Sequence, residues 1–130
     1  AHFPGDIWLW LPQQSVLFTG DLVYVDRLLA VLPDSSVIKA QQAYQQLEKL
    51  NPEFIVPGHG RVTNVATARR ECGDYYDFLV NTIGAAARDM QAMDEVLDRY
   101  NTLPQFERLQ HFHTLHRANM NRTYLEFEQH

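Results

Sequence analysis

The sequence predicts a mixed α/β fold in which strands and one helix, in residues 1–64, are followed by a long antiparallel helical hairpin, in residues 65–130. Short apolar runs separated by Pro, Gly and Ser occupy the first part, which is typical of strands joined by turns. After residue 64, Pro and Gly become rare and apolar residues recur at helical spacing. We therefore divide the chain into two predicted domains, 1–64 and 65–130.

Three strands are predicted in the first domain. Between Asp6 and Leu11 apolar side chains fall on both faces of an extended segment, which is typical of a strand buried on both sides. A polar turn at 12–15 and a second apolar run at 16–19 complete a hairpin. The third run, 54–56, ends in a Pro-Gly-His-Gly loop at 57–60.

Three helices are predicted. Ser35 or Ser36 can cap a helix that runs to about Leu50, between the second and third strands. The two long helices of the second domain are expected at about 66–100 and 104–128, and the later one begins with a proline and has an apolar residue every three or four positions.

Composition narrows the classes of function. The formal net charge is −5 and the 11 Lys and Arg residues are scattered, which disfavours a nucleic-acid partner, including a nuclease reading. No apolar run approaches the roughly 18 residues that would span a membrane. The single cysteine, Cys72, cannot form a disulfide within the chain, so it does not indicate the cellular compartment. For a soluble protein, a bacterial periplasm is one of the compartments that we consider. The strand-like start at residue 1 predicts a segment of a longer polypeptide.

Three side chains are candidate metal ligands: His2, Asp21 and His59. Each lies where a predicted strand meets a loop, and glycines beside Asp21 and His59 permit tight backbone geometry. Two imidazoles and a carboxylate suit Zn²⁺ better than Ca²⁺. Taken singly, His59 could equally be a turn residue and Asp21 a turn former or helix cap.

Four segments together resemble the metallo-β-lactamase superfamily. They are Ala-His-Phe-Pro-Gly-Asp (1–6), Trp-Leu-Pro (10–12), Val-Leu-Phe-Thr-Gly-Asp-Leu-Val (16–23) and Pro-Gly-His-Gly (57–60). Within the superfamily the sequence looks closest to the quinoprotein-relay and sulfur-oxidation-associated zinc metallohydrolases. It is also similar to hydroxyacylglutathione hydrolases and β-lactamases. Four residues of the tail resemble the helical extension of that branch: His116, Asn119, Tyr124 and Glu128.

The resemblance implies the C-terminal half of an αββα sandwich, followed by the helical hairpin. It places His2 as the third histidine of one zinc site, Asp21 as the catalytic carboxylate that bridges two metals, and His59 as the last histidine of the second site. One or two zinc ions would activate a water molecule for hydrolysis of an ester, thioester, lactone or lactam. The expected ligand of the protein is therefore a small acyl substrate.

One motif of the family, His-x-His-x-Asp-His, precedes these segments and is absent from the chain. We therefore expect the isolated chain to bind zinc weakly and to lack activity. His111 and His113 have the His-x-His spacing but fall in a predicted helix, where side chains two positions apart diverge by about 200°. His113 and His116 share a face without a third ligand, so we interpret them as surface or packing histidines.

Other residues carry weaker expectations. Asp6 could orient a ligand or simply form a turn. Trp8 and Trp10 are expected in the sheet core, and Tyr24 and the loop 26–34 are expected to border the substrate.

As an alternative to catalysis, the chain could be an interaction module. Its bare apolar faces would then be covered by self-association or by the missing N-terminal half.

Overall fold

The computed structural model describes residues 8–129. Its elements, in chain order, are β1 (Leu9–Leu11), β2 (Val16–Tyr24), α1 (Val37–Leu50), β3 (Phe54–His59), α2 (65–88), α3 (Met93–Arg99) and α4 (Phe112–Glu128). Helix α2 is continuous, with α-helical and π-helical segments in alternation: Val65–Ala68, Arg69–Gly73, Asp74–Asp77, Phe78–Ile83 and Gly84–Arg88. The predicted fold class, a small mixed α/β unit followed by helices, is confirmed. His2 and Asp6 lie outside the described residues.

The sheet has the strand order β1-β2-β3. Strand β1 is antiparallel to β2, whereas β3 is parallel to β2, and α1 forms the crossover that a parallel pair requires. Leu17 and Ile55 are paired on the inner face, where both are fully buried. Leu9 and Phe18 are paired on the outer face, where both are exposed. The two faces of the sheet therefore have opposite environments.

The prediction that the first strand is buried on both sides is wrong for the described residues. Strand β1 is an edge strand, and Leu9 is 55% exposed. Trp8 and Trp10 meet the expectation of core packing in part, since both are half-buried against the core. The apolar pattern on both faces of β1 thus belongs to a sheet whose outer face has no covering layer within residues 8–129.

Helix α1 confirms the predicted cap and end. The Ser36 hydroxyl accepts a hydrogen bond from the Lys39 amide, and Asn51 adopts the left-handed conformation that closes the helix. Glu126 of α4 reinforces the same terminus, because its carboxylate accepts from the Ser36 hydroxyl at 2.6 Å and from the Val37 amide at 2.8 Å. Helix α4 therefore stabilises the N-terminus of α1.

The first long helix ends at Arg88, so the predicted extent to about residue 100 is wrong. Met90 adopts φ +58°, and two hydrogen bonds close the helix in a Schellman arrangement: Gln91 N–H to Ala86 O and Met90 N–H to Ala87 O. Glycine ordinarily occupies that left-handed position. A methionine there gives the sequence no stop signal, and a separate helix, α3, follows.

The second long helix begins at Phe112, so the predicted start at Pro104 is also wrong. Gln110 is held in an extended conformation, since its N–H donates to Asp26 O and its carbonyl accepts from Leu28 N–H. A residue paired with a distant segment cannot lie inside a helix. His111, with φ +67°, then turns the chain into α4.

The buried apolar side chains form one core that draws on both predicted domains, from Leu17 in β2 to Phe127 in α4. The predicted boundary at 64/65 remains a prediction. Among the helices of the described residues, none has the length and apolar character of a membrane span.

A buried polar network links α2, α4 and the segment after β2. The Tyr100 carbonyl accepts from His116 Nε2 (2.8 Å), so His116 Nδ1 accepts from the Tyr75 hydroxyl (2.7 Å). Asn119 Nδ2 donates to Tyr75 Oη (3.3 Å) and to Leu29 O (2.7 Å). Each imidazole nitrogen has a partner, so the network stabilises the neutral form of His116.

This network predicts a stability that falls in mild acid. Burial lowers the pKa of His116, and the hydrogen bond to the Tyr100 carbonyl and the charge of Glu107 oppose that shift without cancelling it. The unfolded chain takes up its proton near pH 6.5 and the folded state only at lower pH. The His116 contribution is therefore complete above about pH 6.5 and declines below it.

Urea-unfolding midpoints measured from about pH 8 to about pH 5 test this prediction. We expect His116→Gln to flatten the pH dependence, whereas His113→Gln, at an exposed position of the same helix, should retain the wild-type slope. An unchanged slope in His116→Gln would contradict it.

Candidate metal site

Asp21 and His59 lie side by side on two parallel strands. Gly20, with φ +56°, pairs with Pro57, and the register between β2 and β3 shifts on both sides of Gly20. Such an irregularity turns side chains away from the regular alternation of a strand. It leaves Asp21 Oδ1 3.3 Å from His59 Nε2, with the two side chains 38% and 40% exposed. Both donor atoms are therefore close together and open to a ligand.

Gly58 permits this close approach. A Cβ atom on residue 58 would lie 2.5 Å from Gly20 O and 2.7 Å from Asp21 Oδ1, well inside van der Waals contact. Any larger side chain would push the two strands apart at the site. A steric constraint therefore explains why residue 58 is a glycine. The sequence alone could not distinguish this constraint from the ordinary preference of glycine for turns.

The spacing of the two donors fits a shared metal ion. Ligand atoms at about 2.0–2.1 Å from a tetrahedral Zn²⁺ lie about 3.3 Å from each other, which is the separation of Asp21 Oδ1 and His59 Nε2. A charge-assisted N–H···O bond is ordinarily shorter, at about 2.7–2.9 Å. Residues 8–129 contain no group of three His, Cys, Asp or Glu side chains that could hold a metal. The third predicted ligand, His2, lies outside that range.

Tyr24 supports the imidazole. Its ring stacks on the His59 ring, with centroids 4.8 Å apart and an interplanar angle of 11°. The Val25 amide also donates to the His59 carbonyl at 3.0 Å. Tyr24 is 4% exposed, so it lies behind His59 and sets the plane of the ring, instead of forming a substrate-facing wall as the sequence led us to expect.

Glu71 is a buried carboxylate near this region that sequence reasoning missed. It lies in the first π-helical segment of α2, accepts from the Asp26 amide at 2.7 Å and pairs with Arg108 at 3.3 Å. Asp26 has φ +70° and its own carboxylate pairs with Arg61. Glu71 therefore fixes the turn that follows Tyr24. An isolated glutamate in a helical stretch gives no sequence signal for such a contact.

The other histidines within residues 8–129 and the cysteine are structural or solvent-exposed. His116 is a packing residue with both ring nitrogens bonded, as interpreted from the sequence. His113 is exposed, and His111 lies just before α4 instead of inside a helix. Burial raises the pKa of Cys72 to about 12, so this thiol is not a nucleophile at neutral pH.

No curated protein matches this chain significantly. A family model matches the first part of the chain, over a range that includes His2, Asp21 and His59 and ends before helix α2. The match does not distinguish the sulfur-oxidation-associated branch of the family from other branches. The first 59 residues of this chain match the model of the metallo-beta-lactamase superfamily, which indicates a hydrolase family.

Proposed function

We propose that this chain supplies the second half of a zinc-dependent hydrolase site in a longer protein. His2, Asp21 and His59 would hold one or two zinc ions, and the substrate would be a small ester, thioester, lactone or lactam. The observation that carries the proposal is the 3.3 Å approach of Asp21 Oδ1 to His59 Nε2 at the ends of two parallel strands. The superfamily match over the same residues supports it.

The chemistry of the proposed site divides between metal and protein. Bound zinc would lower the pKa of a water molecule to about 7 and polarise the acyl carbonyl. Asp21, half-exposed, would accept a hydrogen bond from that water and orient it toward the carbonyl. The Tyr24 ring, stacked on His59, would keep the imidazole in its binding orientation and exclude water from behind it.

The remaining ligands would come from residues that precede this chain, where the family places its His-x-His-x-Asp-His motif. The sequence of this chain does not contain that motif, and residues 8–129 contain no group of three His, Cys, Asp or Glu side chains that could hold a metal. The isolated chain is accordingly predicted to bind zinc weakly and to have no hydrolase activity.

Zinc content by mass spectrometry and turnover of an ester and a thioester, for the chain alone and for the parent protein, test the proposal. We expect stoichiometric zinc and turnover only in the parent. His59→Ala in the parent should weaken zinc binding at least about tenfold, and His113→Ala, at an exposed histidine of α4, should not. Tight zinc with turnover in the isolated chain would contradict the half-site, and a parent insensitive to His59→Ala would contradict the ligand assignment.

We propose a second candidate function, as a non-catalytic interaction module, because the outer face of the sheet is apolar and exposed. Leu9, Phe18 and Phe54 on that face are 55%, 38% and 46% exposed. A second copy would cover this face in the isolated chain. Light scattering after size exclusion should then show a dimer that Phe18→Lys converts to a monomer, and a monomeric wild-type chain would contradict self-association.

A further inference from the structure

The buried carboxylate of Glu71 connects helix α2 to the turn that follows β2. Glu71 is 3% exposed, and its Oε1 accepts a hydrogen bond from the Asp26 amide at 2.7 Å. Its Oε2 pairs with Arg108 at 3.3 Å, but the Arg108 side chain is 59% exposed, so solvent screens that pair. The bond to the amide has the length of a charge-assisted hydrogen bond. The main contact of Glu71 is therefore with the backbone of the turn.

Asp26 is held at all three of its polar groups. Its amide is bonded to Glu71, its carbonyl accepts from the Gln110 amide at 3.0 Å, and its carboxylate accepts from Arg61 Nε at 3.1 Å. Asp26 has φ +70°, a conformation that a non-glycine residue keeps only when its surroundings hold it. Arg61 lies two positions after His59. The turn at Asp26 thus connects α2 with the loop that carries the candidate ligand.

The two residues before Asp26 contact His59 directly. The Val25 amide donates to the His59 carbonyl at 3.0 Å. Tyr24 pairs with His59 between the strands, and its ring stacks on the imidazole with centroids 4.8 Å apart. The His59 side chain is 40% exposed, so the Tyr24 ring is what limits its rotation on the protein side. A displacement of the Asp26 turn would therefore move the surface on which the imidazole lies.

We propose that Glu71 is a positioning residue for the candidate metal ligand His59. By holding the Asp26 amide, it keeps the Tyr24 ring against the imidazole, and so keeps His59 Nε2 beside Asp21. Groups that orient a ligating histidine from outside contribute to metal affinity. The metal-binding consequence rests on the hydrolase function proposed above, whereas the orientation of His59 can be measured without metal. The helical part of the chain then supports the site without touching metal or substrate.

Three substitutions separate the reach of the Glu71 side chain from its charge. Glu71→Gln keeps an acceptor oxygen at the same distance from the backbone and removes the charge. Glu71→Asp keeps the charge and withdraws the oxygens by one carbon–carbon bond, and Glu71→Ala removes both. We expect zinc affinity of the parent protein, measured by competition with a chromogenic chelator, to fall about tenfold in the Asp and Ala variants. It should stay within about twofold of wild type in Glu71→Gln.

A control variant separates this role from a general loss of stability. Leu97→Ala removes a buried side chain of α3, which packs on α4, and should lower the urea midpoint at least as far as Glu71→Asp. It should leave zinc affinity unchanged. Equal weakening of zinc binding in Leu97→Ala and Glu71→Asp would overturn the proposal. Equal weakening in Glu71→Gln and Glu71→Asp would overturn it as well, because charge and not reach would then govern binding. If Glu71→Ala does not fold, the Gln and Asp variants are sufficient.

NMR of the metal-free parent protein gives a readout that depends on neither zinc nor activity. The Tyr24 ring shields protons that lie over its face, so the stacked His59 ring protons should resonate upfield of their usual position. We expect this upfield shift in wild type and in Glu71→Gln, and its loss in Glu71→Asp. In Leu97→Ala it should persist. An upfield shift that persists in Glu71→Asp would overturn the positioning role.

Failure of the proposed hydrolase function has a different result, namely that the wild-type parent binds no zinc. In that case the NMR comparison alone decides the role of Glu71. Loss of the upfield shift in Glu71→Asp but not in Glu71→Gln supports positioning of His59. A shift that is absent from wild type, or equal in both variants, overturns it.

Discussion

Replacing Asn119 by alanine is expected to destabilise the folded protein by about 3 kcal/mol. The Asn119 side chain is fully buried. Its Oδ1 accepts from the Val31 amide at 2.8 Å and its Nδ2 donates to the Leu29 carbonyl at 2.7 Å. Alanine would leave both backbone groups in the core without a partner, at about 1–3 kcal/mol each. The free energy of unfolding in urea, measured at constant pH, gives the loss.

Asn121→Ala is the matched control, since it makes the same exchange two positions along the same helix. Its Oδ1 is buried without a hydrogen-bond partner, so its removal should cost less than about 1 kcal/mol. Similar losses in both variants would show that helix propensity, and not the contacts of Asn119, governs the effect. Hydrogen exchange at the Val31 amide adds a local readout, which should accelerate only in Asn119→Ala.

Gly58→Ala is expected to cost about 2–3 kcal/mol and to separate the two candidate ligands. The added methyl group would lie 2.5 Å from the Gly20 carbonyl oxygen. The backbone of a paired strand cannot move away without breaking the pairing of Gly20 with Pro57. Thermal unfolding measures the loss of stability, and zinc titration of the parent protein should show weaker binding than in wild type.

The double variant Asp21→Ala/Gly58→Ala distinguishes two sources of strain. The new methyl group would also lie 2.7 Å from Asp21 Oδ1. If that side chain were the main obstacle, the double variant would recover wild-type stability. We expect it to remain destabilised, since the Gly20 backbone is unchanged. Full recovery would contradict the steric role assigned to Gly58.

Local patterns in the sequence were sufficient for features that depend on neighbouring residues. Helix α1 begins after Ser36 as predicted, because its cap is formed by a hydroxyl and an amide three residues apart. The strand runs around 16–19 and 54–56 were also located correctly, although both strands extend further, to Tyr24 and His59. Segment motifs singled out Asp21 and His59, which the structure brings together.

Features that depend on distant partners were not predictable in the same way. Helix α4 starts late because Gln110 pairs with the loop after β2. The end of α2 has a local cause, but the left-handed residue there is a methionine, which carries no stop signal in the sequence. The role of Glu71 has no local signature, since it depends on contacts with residues far along the chain.

The sequence by itself determined where two strands and helix α1 begin and singled out two candidate ligands, because periodicity, caps and segment motifs depend on residues close in the chain. Only the tertiary structure decided which strand lies at the edge, where α4 begins and how near Asp21 comes to His59. Those properties depend on backbone groups and side chains that are far apart in the sequence and meet only when the chain folds.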